Sequence, residues 1–203
     1  CVQTTTFIIN QPAQLISSIS SSSNVSCNGG VDGTATASVT GGTPFYTYSW
    51  IPLGGNGPTA VGLPAGTYTV NVTDNMGCTH SSSVSITQPL QALSATGINS
   101  QTNCFSASDG SLTVNPIGGT PAYTYLWSPS GGTNQTASGL SAGQHFVLVT
   151  DAKGCQTSSL LTVTQPTVIT GSLVPTHPSC SSLNGSIAAQ ISGGTFPYTY
   201  SWS

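Results

Sequence analysis

Gly41-Gly42-Thr43-Pro44-Phe45-Tyr46-Thr47-Tyr48-Ser49-Trp50 is the key to the architecture, because it does not occur alone. It returns as Gly118-Gly119-Thr120-Pro121-Ala122-Tyr123-Thr124-Tyr125-Leu126-Trp127, 77 residues later. It returns again as Gly193-Gly194-Thr195, with the proline displaced to Pro197, and runs on to Trp202. The alternation puts Tyr46, Tyr48 and Trp50 on one face of a strand. Tyr123, Tyr125 and Trp127 share a face in the same way. These six residues are the expected core. A sugar-stacking platform is the rival reading, but strict alternation and recurrence favour packing.

The rest of the sequence keeps the same period. Gln11-Pro12 recurs as Gln88-Pro89 and Gln165-Pro166. Cys1, Cys78 and Cys155 form one series, and Cys27, Cys104 and Cys180 form a second. A fixed period of this length marks a tandem array. The chain reads as the C-terminal strand of a preceding repeat (1–12), two full repeats (13–89 and 90–166) and the N-terminal half of a further one (167–203). Both ends fall inside a unit, so a piece of a longer array is expected.

Within the second full repeat, 90–104 reads as a first strand leading into a turn. Asp109-Gly110 is a turn signal. Strands follow at 111–117, 123–127, 136–140, 145–150 and 155–165. In the first full repeat, Tyr68, Val70 and Val72 share the face that meets Tyr46, Tyr48 and Trp50. Six or seven short strands per unit, with turns every 8–12 residues, indicate an all-β fold. Tandem Ig-like, Greek-key β-sandwich repeats of about 77 residues, head to tail, are expected. No segment has helical periodicity. Units this small bury little surface, so disulfides and neighbouring repeats are expected to stabilise them.

Composition excludes several functions. Charged residues are 2% of 203, with one Lys, no Arg and four acids. A nucleic-acid partner needs a basic stripe that one Lys cannot supply. An anionic membrane surface is excluded for the same reason. No apolar run reaches the roughly 20 residues of a membrane helix, so no membrane insertion is expected. Val, Ile, Thr and Tyr abound, which separates the chain from disordered sequences.

The pattern resembles the SprB repeat, named for a large surface adhesin of gliding Bacteroidota. The resembling residues begin with Ser26-Cys27-Asn28-Gly29-Gly30, Asp32-Gly33, Gly41-Gly42-Thr43-Pro44 and Tyr46-Thr47-Tyr48-Ser49-Trp50. They continue through Gly62-Leu63-Pro64-Ala65-Gly66-Thr67-Tyr68, Val72-Thr73-Asp74-Asn75-Met76-Gly77-Cys78 and Ile86-Thr87-Gln88-Pro89. The resemblance implies a long secreted surface adhesin or filament, and it carries no catalytic or ligand residues. Two departures are His145 at the position of Tyr68 and Asn184-Gly185 in place of the Asp-Gly turn.

Repeating cysteines in a chain suited to the cell exterior point to disulfides. Zinc is disfavoured because no C-x2-C pair or nearby His supports it. Two pairings are open. In an Ig-like unit the first cysteine sits at the exit end and the second at the entry end. Those ends are about 30 Å apart, whereas a disulfide needs Cα atoms within about 7 Å. In a head-to-tail array, Cys27 would instead meet Cys155 across a junction. Bonds within repeats, Cys27–Cys78 and Cys104–Cys155, are the alternative and need another strand order.

The four acids are repeat-related: Asp32 with Asp109, and Asp74 with Asp151. Turn chemistry is the plain reading. Calcium, with Asp32 approaching Asp151, is the alternative, although no calcium-loop spacing is present. No other cofactor is indicated. His80, His145 and His177 do not align with one another, no catalytic constellation repeats and no G-x-S-x-G is present. An enzyme is not expected. Sequons at Asn24, Asn71, Asn134 and Asn184 are out of register with the repeat.

The expected function is a structural or adhesive element of a secreted, extracellular or cell-surface filament. Its partners are neighbouring repeats of its own chain, and like chains in a fibre. A surface or polysaccharide target is not identified. The alternatives are a self-assembling fibre with strand exchange between chains, and an array of carbohydrate-binding modules. The loops 51–60 and 128–135, where sugar sites would sit, contain no aromatic residue.

Overall fold

The computed structural model describes residues 1–180 and 184–203. Fifteen strands and no helix are found among the described residues. The chain divides into two units, Cys1–Ala92 with Lys153–Cys155, and Leu93–Ala152 with Gln156–Ser203.

The first unit contains β1 (Ile16–Ser23), β2 (Gly33–Thr40), β3 (Thr47–Ile51), β4 (Thr59–Leu63), β5 (Gly66–Thr73) and β6 (Thr79–Ile86). They form two three-stranded sheets, ordered β1-β2-β4 and β3-β5-β6. All neighbours are antiparallel. The inward positions of β3 and β5 follow the alternation: Trp50 lies opposite Val70, and Tyr48 opposite Val72. Trp50, Tyr68, Val70 and Val72 from one sheet share a buried cluster with Ala35, Ala37, Ala60 and Leu63 from the other. Small residues on one face and an indole on the other fill the roughly 10 Å between sheets. The Trp50 Nε1–H donates to the Gly57 carbonyl at 3.0 Å, so burial leaves no donor stranded.

The second unit repeats this plan. Its strands are β7 (Ser94–Ile98), β8 (Ser100–Gln101), β9 (Gly110–Ile117), β10 (Thr124–Ser128), β11 (Thr136–Leu140), β12 (Gly143–Thr150) and β13 (Gln156–Thr164). The sheets are ordered β11-β9-β7 and β10-β12-β13-β8. The stretch expected as one strand over 90–104 is therefore two. The break at Asn99 moves the chain from one sheet to the other, where β8 pairs parallel with β13. With β7, β9, β10, β11, β12 and β13 taken as strands A, B, C, E, F and G, and no strand D among the described residues, the sheets are A-B-E and C-F-G, an immunoglobulin-like order in which the first strand is shared. Trp127 is buried with Val114, Val147 and Val149.

The tyrosines of the expected core are half-buried rather than enclosed. Tyr46 and Tyr48 pack on the rim of the first cluster, and Tyr123 and Tyr125 on that of the second. For Tyr46 and Tyr123 the hydroxyl explains the position. Tyr46 donates to the Gly41 carbonyl and Tyr123 to the Gly118 carbonyl, each at 2.7 Å. Each phenol ties its strand back to the Gly-Gly-Thr turn.

Residues 1–12, expected as a strand, form none. The matching strands β6 and β13 lie beside β5 and β12. In 167–203, β14 (Thr170–Thr176) and β15 (Ser186–Ser192) form a two-stranded antiparallel sheet.

The histidines have structural surroundings. The Ser17 N–H donates to His80 Nδ1 at 3.0 Å, joining β1 to β6. His145 takes the place of Tyr68. Tyr68 donates its hydroxyl to the Pro64 carbonyl at 2.8 Å, and His145 Nε2 lies 3.0 Å from the matching Ser141 carbonyl. His145 Nδ1, however, is buried with no partner. His145→Tyr is therefore expected to stabilise the second unit by about 1 kcal/mol, since an unsatisfied buried group is removed. Urea unfolding checks this, and a lower midpoint would mean the site is too tight for a phenol.

Candidate functional site

Two turns recur in each repeat and carry its cysteines. The first holds Cys27 after the chain leaves β1. The Gly30 N–H closes it on the Cys27 carbonyl at 2.9 Å. The Ser26 N–H donates to Asp32 Oδ1 at 3.0 Å. The Gly29 N–H donates to Gln88 Oε1, and Asn28 Nδ2 to the Pro89 carbonyl, each at 2.8 Å. Gly29 adopts φ +77°, which favours glycine. The recurrent Gln-Pro thus grips the cysteine turn, a role that sequence reading missed. Its signal was available: Gln-Pro and the first cysteine keep one period. The second unit repeats the grip, with the Ser106 N–H donating to Gln165 Oε1 at 3.0 Å. There the Asn103 N–H donates to Asp109 Oδ1 at 3.1 Å.

The second turn is the hairpin joining β5 to β6. Asp74 is 5% exposed and accepts three backbone N–H groups. Those of Met76 (2.9 Å) and Cys78 (2.8 Å) reach Oδ1, and that of Thr43 reaches Oδ2 at 2.8 Å. The carboxylate therefore holds its own hairpin and also the Gly41-Gly42-Thr43 turn. A Cβ on Gly42 would lie 2.8 Å from Asp74 Oδ2, at φ +65°, which explains the glycine. In the second unit the Thr120 N–H donates to Asp151 Oδ2 at 2.7 Å.

These bonds favour the charged acid. The Thr43 N–H foremost, then those of Cys78 and Met76, hold Asp74 below the usual carboxylate value of 3.8 against the opposing effect of burial. The Ser26 hydroxyl and N–H lower Asp32 in the same way. Each folded-state value lies below the unfolded one. The stability contributed is therefore present above the unfolded value and lost as pH falls through the folded value. The midpoint of thermal unfolding is expected to drop below about pH 4. Asp74→Asn is expected to lower the midpoint at pH 7 by several degrees and to weaken its acid dependence. If the acid drop is unchanged in Asp74→Asn, the carboxylate carries none of it.

Both residues named for calcium serve backbone N–H groups, Asp32 that of Ser26 and Asp151 that of Thr120. No group of three or more His, Cys, Asp or Glu suited to a metal is found among the described residues.

Cys27 and Cys155 are joined, with an S–S distance of 2.05 Å and Cα atoms 5.7 Å apart. Cys155 is 8% exposed, and its Sγ lies 3.4 Å from the Ser26 carbonyl oxygen. Cys1, Cys78, Cys104 and Cys180 are free and exposed. The bond joins the first cysteine of one repeat to the second cysteine of the next. A pairing of Cys27 with Cys78, or of Cys104 with Cys155, is not present.

Among solved structures, the chain is similar to the N-terminal four Ig domains of Dscam1 isoform 9.44, at 11% identity and TM-score 0.32. That match covers 78% of this chain and 47% of the other. Domains 1–6 of the surface layer protein SbsC match at 12% identity and TM-score 0.33, over 90% of this chain and 36% of that one. Sidekick-1 immunoglobulin domains 1–5 match at 12% identity and TM-score 0.34, over 90% and 46%. The chain spans less than half the length of each. No curated protein matches it. The model of the SprB repeat matches residues 19–55, 96–132 and 172–203. These matches recur in step with the tryptophans and the first cysteines, and together they span just over half of the sequence. The chain belongs to the SprB repeat family.

Proposed function

We propose that this chain is a load-bearing stalk element of a secreted, cell-surface filament that serves adhesion. Each repeat of about 77 residues is one sandwich, and disulfides between successive repeats staple the stalk. The observation that carries the reading is the Cys27–Cys155 bond, which joins residues 128 apart in sequence. A chain pulled from its ends transmits force through that bond, so the residues it encloses are shielded from tension. SprB repeats are modules of cell-surface proteins, which fits this role. The 2% content of charged residues gives like chains little mutual repulsion, which is compatible with side-by-side packing in a fibre.

Single-molecule extension tests the proposal. With the bond intact, unfolding is expected to release only residues outside the 27–155 loop. Adding reductant is expected to release roughly 450 Å more contour length, since an extended chain spans about 3.3–3.6 Å per residue. Equal extension with and without reductant would remove the load-bearing role.

A further inference from the structure

We infer that Cys104 is the first half of a second staple, and that the cleft beside it receives the cysteine hairpin of a following repeat. This rests on the stalk reading above and extends it to a binding surface. Cys104 is the period-equivalent of Cys27, and Cys78 is the equivalent of Cys155. The partners inside their own repeats are taken, because Cys27 and Cys155 are bonded to each other.

The surroundings of Cys104 independently point to a protein occupant. It lines an open cleft of about 400 Å³ with Phe105, Val168, Ile169 and Thr195. Phe105, Val168 and Ile169 are 48%, 52% and 59% exposed. An apolar collar around a free thiol is costly to leave in water. The Cys104 turn is held as the Cys27 turn is, by a glutamine and an aspartate. The complementary part is also present. Cys78 is exposed on the Asp74 hairpin and lines a cleft of about 310 Å³ with Leu15, Gly42 and Asp74. The occupant of the Cys104 cleft is thus the Asp-x-x-Gly-Cys hairpin of a following repeat, of the form that Asp74–Cys78 and Asp151–Cys155 take in this chain.

Bond formation needs an oxidant, a low-molecular-weight disulfide such as oxidised glutathione. The Cys104 thiolate attacks it, forms a mixed disulfide and releases one glutathione thiolate. The hairpin thiolate then attacks the Cys104 sulfur and releases the second. Two protein thiols become one disulfide, and one oxidised glutathione becomes two reduced molecules. Because Cys104 lies between Cys27 and Cys155 in sequence, each new staple begins inside the loop of the one before. Successive staples therefore overlap, and no complete repeat is left outside a loop.

The test lengthens the full chain by one repeat. A duplicate of residues 90–166 is inserted after Pro166, with Cys104→Ser in the duplicate only. The protein is folded in a glutathione redox buffer and mapped by mass spectrometry of non-reduced peptic peptides. Two links are expected, Cys27 to Cys155 and the remaining Cys104 to a Cys155 peptide. A second variant, with Cys155→Ser also in the duplicate, is expected to lose the Cys104 link and keep that of Cys27. If Cys104 stays open to alkylation while Cys27–Cys155 is present, this inference fails and the stalk reading stands. A Cys104 link between chains, seen as a dimer on a non-reducing gel, also overturns it. If Cys27 is found linked to Cys78, both readings fail.

Discussion

Cys27→Ser is expected to lower the stability of the oxidised chain by about 2–5 kcal/mol. The bond closes a loop between residues 128 apart, so its removal returns a large share of loop entropy to the unfolded chain. The chain-entropy relation gives about 5 kcal/mol for a loop of this length, and native strain or residual structure lowers it. Cys155→Ser should have the same effect, because either change removes the same bond. The double substitution should add nothing further. Cys78→Ser is the control. Its thiol is free and exposed, so a change within about 0.5 kcal/mol is expected. Urea unfolding of the parent and the four variants, with and without reductant, measures all of this. Reductant should bring the parent to the level of Cys27→Ser. Equal midpoints for parent and Cys27→Ser without reductant would show that the bond does not stabilise the chain.

Trp50→Ala is expected to cost about 3–5 kcal/mol and to unfold the first unit while the second remains folded. The indole is 5% exposed and spans the space between the two sheets. A domain near 77 residues has a net stability of only about 4–11 kcal/mol. The cavity left by an indole removes a large part of that, and the Gly57 carbonyl also loses its donor. Trp127→Ala should do the same to the second unit, where the indole is 4% exposed and donates to Asn134. Trp202 holds the same place in the recurring motif and is 60% exposed. Trp202→Ala should change stability by no more than about 0.5 kcal/mol. Residue-resolved NMR distinguishes the three. Loss of signals from both units in Trp50→Ala would mean that the repeats fold as one cooperative body.

The strands were legible because their signals are local. The strand read at 136–140 is β11 to the residue, and the alternation through Trp127 is that of β10. The Asp-Gly, Gly-Gly and Gly-Cys turns fall where short-range backbone chemistry requires them. What failed was also local in form but set by distant partners. The stretch 90–104 looked like one strand, and it divides at Asn99 because its second part pairs with β13, some sixty residues on. The tyrosines shared the tryptophan's face but not its depth, and the phenols of Tyr46 and Tyr123 reach a carbonyl at the sheet rim.

The repeat, its period, the all-β class and the face that becomes the core are all readable along the chain. These follow from side-chain alternation and from backbone preferences of glycine, proline and aspartate, which act over a few residues. Which cysteines are joined, which acid holds which turn, and why Gln-Pro recurs become visible in the folded sheets. Each of those depends on segments far apart in sequence being brought to within a hydrogen bond or a disulfide of each other. Spacing along a chain does not encode that distance until the sheets have paired.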